Sequence, residues 1–197
     1  MPLDSIILAS TSPRRQEILK MLSIPFTVIS PEYTEKVIFD MKPRELAEFH
    51  AIKKVESIAR KKLDVHMPWI LGADTLIAKS DSIYGKPLNR DDASRMLHSF
   101  SGKTHTVITA ICLFDASIND ISTRISINSV SFIPLDNQQI ENYLDTGEWQ
   151  GVAGGYRIQG LASCFIDKIE GSYSGIVGLP INDLYAILRT HGYKFIV

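Results

Sequence analysis

One carboxylate interrupts an otherwise apolar run. Asp74 stands inside Trp69-Ile70-Leu71-Gly72-Ala73-Asp74-Thr75-Leu76-Ile77-Ala78, a pattern that predicts a strand buried on both faces. A buried carboxylate must find a metal ion, a cation or several hydrogen bonds. Either a metal-binding or general-base role or a structural salt bridge would meet that need. A second unusual placement lies in Ser10-Thr11-Ser12-Pro13-Arg14-Arg15. Two arginines occupy what reads as the first turn of a helix, where the macrodipole disfavours each cation by roughly 0.3–1 kcal/mol. Free backbone N–H groups, the hydroxyls of Ser10, Thr11 and Ser12 and two guanidinium forks together would hold a phosphate-sized anion. The plainer alternative is a pair of solvated arginines.

Other polar groups fall at telling positions. Glu32 and Glu35 lie in the polar loop Ser30-Pro31-Glu32-Tyr33-Thr34-Glu35-Lys36 and are either metal ligands or solvated loop charges. Lys54 shares a helical stripe with Ala47, Ala51, Val55 and Ile58, so it either snorkels to water or directs its ammonium into an anion site. Gly85-Lys86-Pro87 is a turn that projects a lysine. Ser101-Gly102-Lys103-Thr104 imitates the end of a phosphate-binding P-loop, but the glycine that motif requires is replaced by Leu97, and here a helix precedes and a strand follows. A P-loop is therefore rejected, and His105 reads as a structural histidine. The glycine-rich stretch Gly151–Gly160 spells no dinucleotide fingerprint; it either admits a ligand close to the backbone or forms plain turns.

The positioning elements follow from the punctuation. Ile6–Leu8 reads as a strand and the next helix starts at Pro13 with Ser12 as N-cap, its apolar positions being Ile18, Leu19 and Leu22. Phe26–Ile29 resumes as a strand, and Pro43 opens a long helix. Asn89 caps a helix bearing Asp91 and Asp92 in its first turn, and Gly102 closes it before a strand over Thr106–Phe114. Ile121, Thr123, Ile125 and Ile127 alternate with polar residues as in a half-exposed strand whose alternation shifts near Ser129. Asp136 and Gln139 form a capping box, Cys164–Ile169 reads as a strand, and the last helix centres on Leu184, Tyr185 and Leu188.

With 197 residues, 45% hydrophobic and 22% charged, the chain suits a soluble globular protein of one domain or two small lobes. A formal charge of -1 leaves no general footprint for nucleic acid and points to a small anion instead. Cys112 and Cys164 lie in apolar, strand-like segments without metal-ligand spacing, which predicts buried free thiols in a reducing compartment. No basic leader is followed by a long apolar core, and no run reaches the roughly 18 apolar residues of a membrane span. The expectation is a cytoplasmic protein without membrane or nucleic-acid partners.

Ser10-Thr11-Ser12-Pro13-Arg14-Arg15, Gly72-Ala73-Asp74-Thr75, Gly85-Lys86-Pro87, Ser101-Gly102-Lys103-Thr104-His105, Gly155-Tyr156-Arg157-Ile158-Gln159-Gly160 and Val177-Gly178-Leu179-Pro180 together resemble the Maf family of nucleotide pyrophosphatases, over nearly the whole chain. The resemblance implies an α/β fold spanning residues 1–197 as one two-lobed domain, with a twisted mixed β-sheet flanked by helices and a cleft between the lobes, similar to inosine triphosphate pyrophosphatases. It implies hydrolysis of a nucleoside triphosphate to the monophosphate and pyrophosphate, with a divalent cation (Mg²⁺ or Mn²⁺), and links to restraint of cell division and to nucleotide-pool cleaning. Ala73-Asp74-Thr75 and Ile158-Gln159-Gly160 are similar to the branch acting on dTTP and UTP. By position, Asp74 matches the general base and Arg14, Thr75 and Gln159 the specificity positions, while Ser10, Arg15, Glu35, Lys54 and Lys86 match the remaining polar residues of the cleft. Glu35 and Asp74 are the implied metal ligands, and Gly175 stands where larger residues are common. The Gln159 amide suits thymine or uracil in one orientation and cytosine in the other. Alternatives left open are a 7-methyl-GTP or other modified-nucleotide pyrophosphatase of the same fold and a non-hydrolysing, nucleotide-sensing division regulator, with a homodimer also open.

Overall fold

A computed structural model describes residues 4–36, 38, 40–61, 68–80 and 82–195. The first strand, β1 (Ile6–Leu8), leads through α1 (Pro13–Met21) to β2 (Phe26–Val28), then through α2 (Pro43–Ala59) to β3 (Trp69–Lys79). β1 pairs in parallel with β2 on one side and with β3 on the other, so the chain reverses its direction of sheet growth at β1. The remaining strands are β4 (Ser82–Tyr84), β5 (Thr104–Asp115), β6 (Asp120–Phe132) and β7 (Ile166–Glu170), and with them come α3 (Arg90–Phe100), α4 (Asn137–Asp145), α5 (Tyr173–Val177) and α6 (Ile181–Thr190). They complete a mixed seven-stranded sheet in the order β2-β1-β3-β5-β6-β7, with β4 beside the end of β3.

The pleat of β3 distributes its residues between two faces. Ile70 and Ala78 pack with Ala47, Ala51, Val55 and Ile58 of α2. On the other face Trp69, Leu71 and Ala73 belong to a core shared with α1 and α6, whereas Ile77 belongs to a separate core under α3 and α4. This division makes the two lobes, and Thr75 lies at the seam. Gly72 sets the height of α2: a Cβ there would meet Val55 Cγ2 at 2.6 Å and the Ala51 carbonyl at 2.8 Å. Only glycine lets the helix approach this closely.

Short β1 is what opens the site. It pairs with β3 at Ile7–Ile70 and Leu8–Leu71, while β4 covers the same edge of β3 only from Ile77 to Lys79. Between these contacts no strand among the described residues pairs with the edge of β3 around Asp74 and Thr75. Open α/β sheets bind ligands at such a reversal point, outside the carboxyl ends of the strands.

Several expectations need correction. Ser12 occupies the N-cap of α1, but its side chain makes no capping hydrogen bond. Cys164 is exposed, because Leu161–Phe165 forms a short 3-10 turn and β7 begins only at Ile166; Cys112 alone of the two thiols is buried. In β6 the polar residues Ser126 and Asn128 face inward while Ile127 is exposed, and the register shift falls between Ser131 and Phe132. The inward polar row exists because Asn128 accepts from the Ser172 amide and donates to the Val107 carbonyl. It also explains Gly175, where a Cβ would lie 2.6 Å from Ser126 Oγ.

Candidate active site

A cleft of about 770 Å³ occupies the seam and is lined by every predicted site residue: Ser10, Arg14, Arg15, Glu35, Lys54, Asp74, Thr75, Lys86 and Gln159. Its carboxylate pole is built where α2 meets β3. Lys54 donates to Asp74 Oδ1 at 2.6 Å and to the Ala73 carbonyl at 3.2 Å, and pairs with Glu35 at 2.5 Å. The lysine therefore turns inward, with a buried side chain, rather than snorkelling. Asp74 Oδ2 is buried and has no hydrogen-bond partner among the described residues. Burial raises the Asp74 pKa above the usual carboxylate range, opposed by Lys54 and reinforced by the Glu35 charge. Glu35 differs because it is more open: burial pushes its pKa up, but Lys54, Lys86 and His50 together hold it below the ordinary value. Glu32, by contrast, pairs with Lys61 on the surface, so Glu35 is the loop carboxylate that reaches the cleft.

The floor is a directed hydrogen-bond chain. Arg15 is buried, and its Nε donates to the Gly178 carbonyl (2.8 Å), Nη1 to Ser10 Oγ (2.9 Å) and Nη2 to Thr75 Oγ1 (3.1 Å). Thr109 donates to the Gly175 carbonyl at 2.7 Å, so its contact with Thr75 at 2.9 Å must be donated by Thr75. Arg15 thus ties α1 to β3 and to the turn before α6, and most of its fork is committed to protein acceptors. Ser10 accepts from both Arg15 and the Ser12 amide, which leaves its own proton free of protein acceptors among the described residues. That hydroxyl, which lines the cleft, can still donate.

Arg14 lies on the rim in the first turn of α1, where backbone amides lack intrahelical partners. Burial and then the charge of Arg157 lower its pKa, while Glu17 raises it, and it stays cationic. Lys86 projects from the turn after β4, and Gln159 is exposed where it lines the cleft, with no hydrogen bond fixing its amide among the described residues. Three contributors went unassigned in the sequence. Tyr33 lines the cleft and is hydrogen-bonded to buried His50 at 2.7 Å, anchoring the Glu35 loop to α2 one turn before Lys54. Arg157 lines the cleft beside Gln159. The only sequence signals were a histidine at the i−4 position from Lys54 and an arginine inside a glycine-rich wall. His105 is structural as expected: it stacks on Phe100, bonds the Tyr156 hydroxyl, and burial pushes its pKa down to about 4.

No three side chains among His, Cys, Asp and Glu gather into a cluster that could hold a metal ion among the described residues. No helix among them is long and apolar enough to cross a membrane.

The arrangement defines a class, an α/β protein whose cleft, lined by arginines, lysines and two carboxylates, lies at the reversal point of a mixed sheet. The chain belongs to the Maf family, whose model, described as Maf-like protein, matches residues 5–191. A relative from Treponema denticola named dTTP/UTP pyrophosphatase is 40% identical over 203 aligned residues, covering 98% of this chain and 100% of its own. One of the same name from Desulforamulus reducens is 41% identical, covering 97% and 98%. Among solved structures, the Staphylococcus aureus Ham1 protein shares the fold with a TM-score of 0.52 at 14% identity, covering 95% of this chain and 100% of that one.

Proposed function

We infer that this protein is a nucleoside triphosphate pyrophosphatase that hydrolyses dTTP and UTP to the monophosphate and pyrophosphate. The observation that carries the reading is one cleft containing both a buried carboxylate with a free oxygen, Asp74, and the phosphate-binding rim of Ser10 and Arg14. The activity named for the relatives agrees with it.

Each residue then has a task. Ser10, Arg14 and the first-turn amides of α1 bind phosphate oxygens, the site that a helix N-terminus favours. Asp74 Oδ2 accepts a proton of the attacking water and aims its oxygen at the α-phosphorus; burial, by raising the basicity of this carboxylate, suits it to the task. Lys54 holds Asp74 in orientation through Oδ1 and, with Lys86, offsets the charge of the departing pyrophosphate. Thr75 and Gln159 form the base-selecting side. The Gln159 amide, which no hydrogen bond holds among the described residues, matches the carbonyl and N3–H of uracil or thymine in one orientation and cytosine in the other, so the CTP assay tests whether it selects between them.

Asp74 and Glu35 also suit a hard divalent cation. Both are oxygen donors, one carries an unpartnered buried oxygen, and Mg²⁺ or Mn²⁺ needs only one or two protein carboxylates when phosphates and water complete its shell. When bound, such an ion would neutralise charge on the phosphates.

Pyrophosphate release measured in parallel on dTTP, UTP, CTP and 7-methyl-GTP tests the reading. Asp74→Asn should lower kcat by about 10²–10⁴-fold while nucleotide binding survives. Normal turnover by this variant would remove Asp74 from its role. Preference for 7-methyl-GTP would move the protein to the other branch, and binding without pyrophosphate release would make it a sensor.

A further inference from the structure

Arg157 is held where a ligand group is missing. It lies in the segment that runs from Val152 to Gly160 and lines the same cleft as Arg14, near enough for the two charges to interact. Its backbone is fixed, because the Arg157 amide donates to the Tyr143 hydroxyl of α4 at 3.2 Å. Its guanidinium is not: among the described residues it makes no ion pair or hydrogen bond, and its Nε is buried without a partner. The acid on the same wall, Glu148, is engaged by the Leu161 amide at 3.0 Å and does not pair with it.

The cations of the cleft therefore fall into two groups. Arg15 and Lys54 are committed to protein acceptors. Neither Arg14 nor Arg157 forms an ion pair among the described residues; Glu17 acts on Arg14 only at longer range, and the two arginines sense each other as like charges, Arg157 depressing the pKa of Arg14. Two guanidinium groups facing one cavity repel unless an anion comes between them, and a planar fork matches phosphate oxygens. A neutral pyrimidine carbonyl would leave the repulsion standing, whereas a polyphosphate removes it.

We propose that Arg157 is a substrate-binding residue that closes with Arg14 on the phosphate chain of the nucleotide. The assignment rests on the triphosphate substrate inferred above. It makes Arg157, which the sequence placed merely in a glycine-rich wall, the phosphate contact of the second lobe.

Full-length Arg157→Gln and Arg157→Lys proteins test it, with inorganic tripolyphosphate and thymidine as separate inhibitors of dTTP turnover. Losing one charge-assisted contact should raise the KM for dTTP and the inhibition constant of tripolyphosphate about tenfold or more in Arg157→Gln. Inhibition by thymidine should stay within about twofold, since the nucleoside offers no charge to an arginine. Arg157→Lys should recover part of the loss, and neither variant should melt lower than the parent, because the side chain holds no other element. Unchanged tripolyphosphate inhibition, or a loss confined to thymidine, would overturn the assignment. Calorimetric binding of tripolyphosphate to the parent and to Arg157→Gln reads the contact without turnover. A parent that binds tripolyphosphate but releases no pyrophosphate from dTTP or UTP would refute the activity and leave the contact intact.

Discussion

Replacing Lys54 with methionine keeps a long apolar stem and deletes the charge that Asp74 and Glu35 share. The two acids will respond differently. Glu35, whose side chain is 44% exposed, can turn to water; Asp74, at 4%, cannot. Removing one partner of a buried ion pair costs about 3–5 kcal/mol, because the remaining charge is stranded. Here the cost is limited by protonation: with Lys54 gone, burial raises the Asp74 pKa with only Arg15 among its named cations to oppose it. Between the unfolded carboxyl pKa near 3.9 and the raised folded value, the native state binds a proton that the unfolded state does not, so stability falls as pH rises. Lys54→Met should therefore melt about 6–12 °C below the parent at pH 8, taking about 3 kcal/mol and 2–4 °C per kcal/mol for a chain of this size. The gap should narrow steadily towards pH 5. Adding Asp74→Asn should restore much of the loss, since no buried charge then remains. Differential scanning calorimetry across pH would decide. A gap that stays flat with pH, or a double variant no more stable than Lys54→Met, would refute a stranded Asp74 as the cause.

Two further outcomes follow from packing and exposure. Gly72→Ala should cost about 1–3 kcal/mol in thermal unfolding, an overpacking penalty, because the new methyl meets Val55 and Ala51 of α2; pyrophosphate release should fall with it, since α2 carries Lys54. A thiol reagent should modify Cys164 alone in the native protein and reach Cys112 only in denaturant, since burial pushes the Cys112 thiol up to about 12; mass spectrometry of the modified chain reads which thiol reacted.

The parts legible in the sequence were those set by local chemistry. Pro13, Pro43, Asn89 and the Asp136–Gln139 box each start a helix where expected, because a cap or a fixed φ acts within a few residues. Asp74 announced itself because a carboxylate in an apolar strand demands a partner, and Lys54 answered from a helical stripe where it was equally out of place. What was not legible depended on distant partners. Arg15 read as an anion fork, but its Nε acceptor is Gly178, 163 residues away, and that contact makes it largely scaffold. The inward face of β6 was hidden because alternation shows that two faces differ, not which is covered, and the covering turn at Ser172–Gly175 favours polar residues. Cys164 was misplaced because Leu161-Ala162-Ser163-Cys164-Phe165 is as apolar as a strand, yet the glycine-ended loop before it delivers it as a single tight turn.

The alternation of β3 has a further effect. Asp74 and Thr75 are neighbours in the chain but leave the backbone on opposite sides, the first tied to α2 and the second to the α1 floor. Substitutions on the Thr75 side reach the charge balance around Asp74 only through Arg15, which donates to Thr75 and lowers the Asp74 pKa. Adding or deleting one residue in this strand would exchange the two sides at once. Variation along this strand is therefore constrained in composition by the partners on each flank and forbidden in length.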